Sequence, residues 1–159
     1  MTRVYGRALR GQQVHDTVPR NRGRVTTMIG AMSAEGIVAM ATIEAATDGE
    51  VFTAFVEQVL IPVLKPGDIL VWDNLGAHKL KSIRDRLASI GVSVVFLPPY
   101  SPDLNPIELF WAWLKAIIRR ERPRIYTRLD RCVAAAMESL PREFSRSWFR
   151  ECGYRVPRT

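Results

Sequence analysis

Apolar residues come in short blocks divided by glycine and proline, and the spacing inside each block predicts an element. Val25-Thr-Thr-Met-Ile-Gly-Ala-Met32 is β-branched and apolar, Ser33-Ala-Glu-Gly36 has the composition of a tight turn, and Ile37–Ala45 again reads as strand. Together they predict a hairpin. Thr47-Asp-Gly-Glu50 sets a hydroxyl three residues before a carboxylate, the spacing of a capping box. Phe52, Phe55, Val56, Val59 and Leu60 follow at helical spacing, and the helix is expected to stop between Pro62 and Pro66.

Asp68-Ile-Leu-Val-Trp-Asp73 is a short strand, Lys79–Ile90 carries Leu80, Ile83, Leu87 and Ile90 on one helical face, and Val92–Phe96 is a second short strand. Strand, helix and strand in this order predict a βαβ unit with a right-handed crossover. Pro98-Pro-Tyr-Ser-Pro-Asp-Leu-Asn-Pro106 is excluded from helix and sheet interiors, because its prolines lack amide donors and fix φ. Asn105 can cap a helix with Pro106 at its first position. Ile107, Phe110, Trp111, Leu114, Ile117 and Ile118 mark that helix's buried face, which runs out among Arg119, Arg120, Glu121 and Arg122. Thr127–Leu140 and Pro141–Arg150 predict two more helices. No internal repeat or low-complexity tract is visible.

Length and composition set the frame. The chain of 159 residues suits one domain, and its 47% hydrophobic content excludes a disordered chain. No apolar run approaches the ~20 residues of a membrane span, and the start, with Arg3, Arg7 and Arg10, does not read as a signal peptide. A cytoplasmic protein is expected. Cys132 and Cys152 are too few for a disulfide framework and lack zinc-site spacing, so small, partly buried residues are expected. The net charge is +7 and unevenly spread. Residues 1–24 hold six bases and one acid, residues 25–114 five bases and ten acids, and residues 115–159 twelve bases and five acids. Basic ends suit a polyanion such as nucleic acid. The acidic middle calls for carboxylates with another task.

Two carboxylates stand out by placement. Asp73 ends a βαβ strand, where open α/β sheets gather ligand sites. Glu108 lies in the first turn of the helix after the stiff proline loop. The 34 intervening residues hold a helix, a strand and a loop, enough to return the chain to the same sheet edge. Two such carboxylates suit hard divalent cations, and a metal pair can stabilise both the attacking and the leaving oxygen of a phosphodiester. Plainer roles stand beside this one: Glu108 can complete a capping box with Asn105, and Asp73 can start a turn with Asn74.

Val71-Trp-Asp-Asn-Leu-Gly-Ala-His-Lys79 followed by Phe96-Leu-Pro-Pro-Tyr-Ser-Pro-Asp-Leu-Asn-Pro-Ile-Glu108 resembles the DDE-type transposases of the mariner-related insertion-sequence group. The resemblance extends over nearly the whole chain. It implies an α/β, RNase H-like catalytic core with a mixed sheet flanked by helices. It also implies two Mg²⁺ or Mn²⁺ ions and cut-and-paste DNA transposition, with transposon ends and target DNA as partners. Asp73 is then the second metal-binding carboxylate and Glu108 the third. The family's first aspartate sits on a first strand just before the segment resembling residues 1–11. Asp16 and Asp48 are the only aspartates before Asp68, and neither has the right place. The chain is therefore expected to lack that central strand, so that the hairpin stands beside the Asp73 strand with a gap or a substitute pairing.

The expected organisation is a basic arm (1–24), a truncated core (25–122) and a helical extension of the same domain (123–159). Two functions remain open. One is part of a transposase that cleaves and joins DNA when complete. The other is an inactive DNA-binding or subunit-interaction remnant that binds DNA weakly or joins full-length transposase. For the chain in general, a homodimer or association with an upstream-frame or full-length transposase is the expected assembly. Accessory candidates are Asn74 and His78, each with a capping or structural alternative. Asp103 is a fallback carboxylate or a turn residue. Arg119, Arg120, Arg122 and Arg124 are phosphate-contact candidates, or a solvated helix end favoured by the dipole. Trp111 is expected in the core and Trp113 exposed, toward DNA. His15 is expected on the surface.

Overall fold

The computed structural model describes residues 9–12, 26–46, 48–73, 81–123 and 125–157. Most of the basic arm, with His15 and Asp16, lies outside them, as do Asn74, His78 and Arg124.

Strands β1 (Thr27–Ser33) and β2 (Gly36–Ile43) form the antiparallel hairpin. Its turn is Ala34-Glu35, closed by the Ser33–Gly36 pair, and the Ser33 hydroxyl accepts a hydrogen bond from the Glu35 amide at 3.1 Å. Period-two alternation makes both faces of the hairpin apolar. Ile29, Ala31, Ala39 and Ala41 pack into one core cluster, while Met28, Met32, Ile37 and Met40 pack into the other.

Helix α1 (Gly49–Phe55) continues through a wide π-type turn, Val56–Leu60, into a tight last turn, Ile61–Val63. Pro62 cannot donate to the ladder, which accounts for the change of winding before the helix stops. The cap is one residue later than the Thr47 spacing suggested: the Asp48 carboxylate accepts from the Val51 amide at 2.9 Å. Strand β3 (Ile69–Trp72), helix α2 (Lys81–Ser89) and strand β4 (Ser93–Phe96) follow, and β3 pairs with β4 in parallel. Phe52, Phe55, Val56, Leu60, Trp72, Ile83 and Leu87 bury one face of this unit.

Helix α3 (Pro106–Glu121) crosses the hairpin's other face, joined there by α4 (Tyr126–Glu138) and α5 (Arg142–Glu151). Phe110, Leu114 and Ile118 recur along α3 and are buried, as the periodicity predicted. Trp111 lies over β1 at Gly30, where an added Cβ would be 3.4 Å from the indole. Trp113 departs from expectation. It is half-buried, with its ring 6.1 Å from Phe110 and 6.4 Å from Trp148, so α5 covers the face that the α3 sequence alone leaves polar-side. Two long-range bonds fasten the helices to the hairpin: Tyr126 donates to the Thr42 carbonyl at 3.0 Å, and Arg146 pairs with Glu35 at 2.7 Å.

The four described strands form two separate two-stranded sheets, β1–β2 and β3–β4. Among the described residues no strand pairs with both sheets.

Candidate active site

A groove of about 370 Å³ separates the two sheets. Five consecutive residues of β1, Met28–Met32, and five in and after β3, Ile69–Asp73, line it. Consecutive strand residues point to opposite faces, so each strand presents its edge to the groove, on the side away from its paired neighbour.

Trp72 fixes the end of β3. Its ring is buried edge-on against Phe52 at 5.5 Å and Phe96 at 6.2 Å, and its carbonyl accepts from the Leu97 amide at 2.7 Å. Asp73 is the next residue, half-buried at the groove. Glu108 reaches the same groove from the first turn of α3. The structure thus brings Asp73 and Glu108 to one groove across the 34-residue interval. A carboxylate in a helix's first turn is also favoured by the helix dipole.

The plainer role for Glu108 is not taken up. Asn105 is the N-cap of α3 but its side chain makes no cap bond, and its amide donates to Pro102 at 3.0 Å rather than to Glu108. No reciprocal capping box forms, and the exposed Glu108 carboxylate is left for other chemistry. Asp103 sits exposed in the tight turn Pro102–Leu104 and does not line the groove. Asp48 is committed to the α1 cap. Among the described residues no group of three His, Cys, Asp or Glu side chains is placed to hold a metal. Asp73 and Glu108 are oxygen donors of the kind a hard divalent cation takes, so the pair suits such an ion.

Arg119, Arg120 and Arg122 are exposed at the far end of α3. Arg119 is eleven helical steps from Glu108, about 16 Å at the α-helical rise. Arg120 pairs with Glu121 at 3.0 Å, both side chains mostly in solvent, and Arg122 takes the left-handed conformation (φ 49°) that ends the helix. These arginines are not part of the carboxylate site.

Two groove residues escaped the sequence reading. Phe149 of α5 and Tyr154, three residues after its end, also line the groove. Burial pushes the Tyr154 hydroxyl above its ordinary pKa, as does the neighbouring Cys152, which keeps it a hydrogen-bond donor. Their signal was Gly153, a helix-ending glycine that directs the chain back across α5. Cys132 is half-buried and Cys152 buried, both as free thiols.

Interrupted mixed strands, a parallel β3–β4 pair and helices on both faces are the layout of an RNase H-like catalytic core. The chain belongs to the DDE superfamily endonucleases, whose family profile matches residues 1–130. Its fold is similar to that of Mos1 transposase. In the Mos1 strand transfer complex the TM-score is 0.77 at 19% identity, over 93% of this chain and 46% of the Mos1 chain. The Mos1 paired-end complex with left transposon end gives a TM-score of 0.78 at 18% identity, over 93% and 46%. The catalytic domain of Mos1 mariner transposase gives 0.71 at 16% identity, over 80% and 68%. A further structure holds the Mos1 catalytic domain and raltegravir with Mn. This chain thus spans under half of the transposase chains in the first two assemblies. Among curated protein sequences none matches it. No helix of the described residues is long and apolar enough to cross a membrane.

Proposed function

We propose that the chain is the Asp73- and Glu108-bearing part of a cut-and-paste DNA transposase. The observation that carries this reading is the convergence of these two carboxylates, one from each family-like motif, on a single groove. Asp73 and Glu108 are the residues that hold divalent metal, Mg²⁺ or Mn²⁺, two ions in the complete site. When bound there, the metal supplies charge that activates water or a DNA 3′-hydroxyl and stabilises the leaving 3′-oxygen. The chain's own part is placement: Trp72 anchors Asp73 in the core, and the start of α3 carries Glu108 to the same edge.

A strand seated in the groove would pair with β1 and β3 and bring the third carboxylate. Asn74 and His78 are accessory candidates beside Asp73. Arg119, about 16 Å along α3 from Glu108 or roughly five steps of a DNA strand, and Arg120, Arg122 and Arg124, which follow it in the chain, are candidates for phosphate contact. Transposon-end and target DNA are the proposed substrates, with a second transposase chain as partner.

The absence of a third ligand among the described residues favours a second reading for the chain taken alone: a non-catalytic DNA-binding or subunit-interaction piece. One experiment separates the two. A form extended to include the upstream strand is assayed for nicking and joining of transposon-end DNA in Mg²⁺, beside the chain itself. The first reading predicts activity in the extended form that Asp73→Ala or Glu108→Ala reduces at least about 10³-fold, a size expected when an electrostatic contributor to phosphoryl transfer is lost. Activity that survives both substitutions refutes the assignment. An inert extended form supports the second reading.

A further inference from the structure

The C-terminal end of α5 is built as a strap against the start of α3. Helix α5 ends in a nested pair of bonds: the Tyr154 amide donates to Phe149 O at 2.9 Å, and the Gly153 amide donates to Arg150 O at 3.0 Å. Gly153 has φ +86°, the left-handed conformation this closure requires. The apolar contact that accompanies such an ending is also present, with the Phe149 and Tyr154 rings 5.5 Å apart. The closure turns Tyr154 back over the helix. Its hydroxyl then donates to the Leu104 carbonyl at 2.9 Å, across fifty residues of sequence.

Leu104 is the last residue of the tight turn before Asn105 and α3. Asn105 gives that helix no side-chain cap. The loop before Glu108 is otherwise held by short-range bonds, Leu104 to Ser101 at 3.2 Å and Asn105 to Pro102 at 3.0 Å. Phe149, Tyr154 and Glu108 all line the same groove. The strap lies beyond the family-profile match, which ends at residue 130.

We infer that Tyr154 is a positioning residue: its bond to Leu104 sets the first turn of α3 and thereby holds the Glu108 carboxylate toward Asp73. The inference rests on the metal-binding reading of that pair for its consequence, but not for its geometry. Helix α4 packs on α3 farther along and shares no bond with the strap, so it serves as the internal reference.

The test uses the full chain without added DNA. Tyr154→Phe keeps the ring and removes the bond, and Tyr154→Ala removes both. Amide hydrogen exchange is measured in metal-free protein, and Mn²⁺ binding by electron paramagnetic resonance, with Glu108→Gln as control. Tyr154→Phe is expected to speed exchange at residues 107–110 about tenfold, to leave Val133–Ala136 in α4 unchanged, and to weaken Glu108-dependent Mn²⁺ binding about three- to tenfold. Unchanged exchange at 107–110 overturns the inference, as does exchange that rises equally in α4. Faster local exchange with Mn²⁺ binding unaltered also overturns it, because Glu108 is then not set by the strap. If the wild-type chain shows no Glu108-dependent Mn²⁺ binding, the metal reading fails, and the exchange measurement alone decides whether Tyr154 holds the turn.

Discussion

Phe110, Leu114 and Ile118 on α3 are 0–4% exposed, whereas Ile69, Val71 and Val95 on the small parallel sheet remain 65%, 38% and 50% exposed. Both sets are apolar, and both belong to elements that the sequence pattern predicts. They differ in what stands opposite. Helix α3 has the hairpin, α4 and α5 packed around it. Strand β3 has helices over one face and a groove along its free edge. Parallel strands are ordinarily covered on both faces, and among the described residues the face carrying Ile69, Val71 and Val95 is left open. The carboxylates Asp73 and Glu108 line the groove at the edge of this sheet.

The comparison breaks most readily at the closed side. Phe110→Ala removes a fully buried ring and is expected to cost about 3–5 kcal/mol by chemical denaturation. A loss under about 1 kcal/mol would mean that the helical cluster is no better packed than the groove. Gly153→Ala comes next, at about 1 kcal/mol. Nothing lies within 4 Å of an added Cβ there, so the cost is the left-handed backbone alone. A neutral result would show that the α5 ending is not held in the closure described.

Ile69→Thr is expected to change stability by less than about 0.5 kcal/mol, because the side chain is mostly in solvent. It should also reduce self-association, measured by sedimentation, since an exposed apolar edge pairs with other chains. A loss like that of Phe110→Ala would mean that the β3 face is covered after all. The smallest effect is in pH. Burial pushes the Cys152 thiol above its ordinary 9.0, with Glu151 and Asp103 adding to the rise. A raised pKa means that the folded state holds the proton more tightly. The stabilisation is therefore full below pH 9.0 and lost as pH climbs through the higher folded value. Denaturation midpoints should be flat at neutral pH and fall above that range, with a shallower fall in Cys152→Ala. An equal fall in the variant would exclude the thiol as the source.

Much of this was legible beforehand. The β1–β2 hairpin, the β3–α2–β4 order and the three late helices fall within a few residues of their expected bounds, because alternation, helical periodicity and prolines all agree there. That Asp73 and Glu108 meet at one groove was expected from their placement, at the end of a short strand and in a proline-led helix, and from the resemblance of the two motifs that carry them. What failed was long-range. Trp113 looks polar-side on α3 alone, and only α5 with Trp148 buries it. The cap of α1 moved from Thr47 to Asp48 because both residue types cap well, and sequence does not choose between neighbours. Tyr154 was missed because its partner, Leu104, is fifty residues away.

If Asp73 and Glu108 together hold a divalent cation, an ion bound there can be made to report its own position. Fe²⁺ can be loaded in place of Mg²⁺ and made to generate hydroxyl radicals with ascorbate and peroxide, which cut the backbone near the bound ion. Cuts are expected only in the neighbourhoods of Asp73 and Glu108, competed away by Mg²⁺ and lost in Asp73→Ala and Glu108→Ala. Cuts elsewhere, or cuts at these positions that persist in both variants, would contradict it.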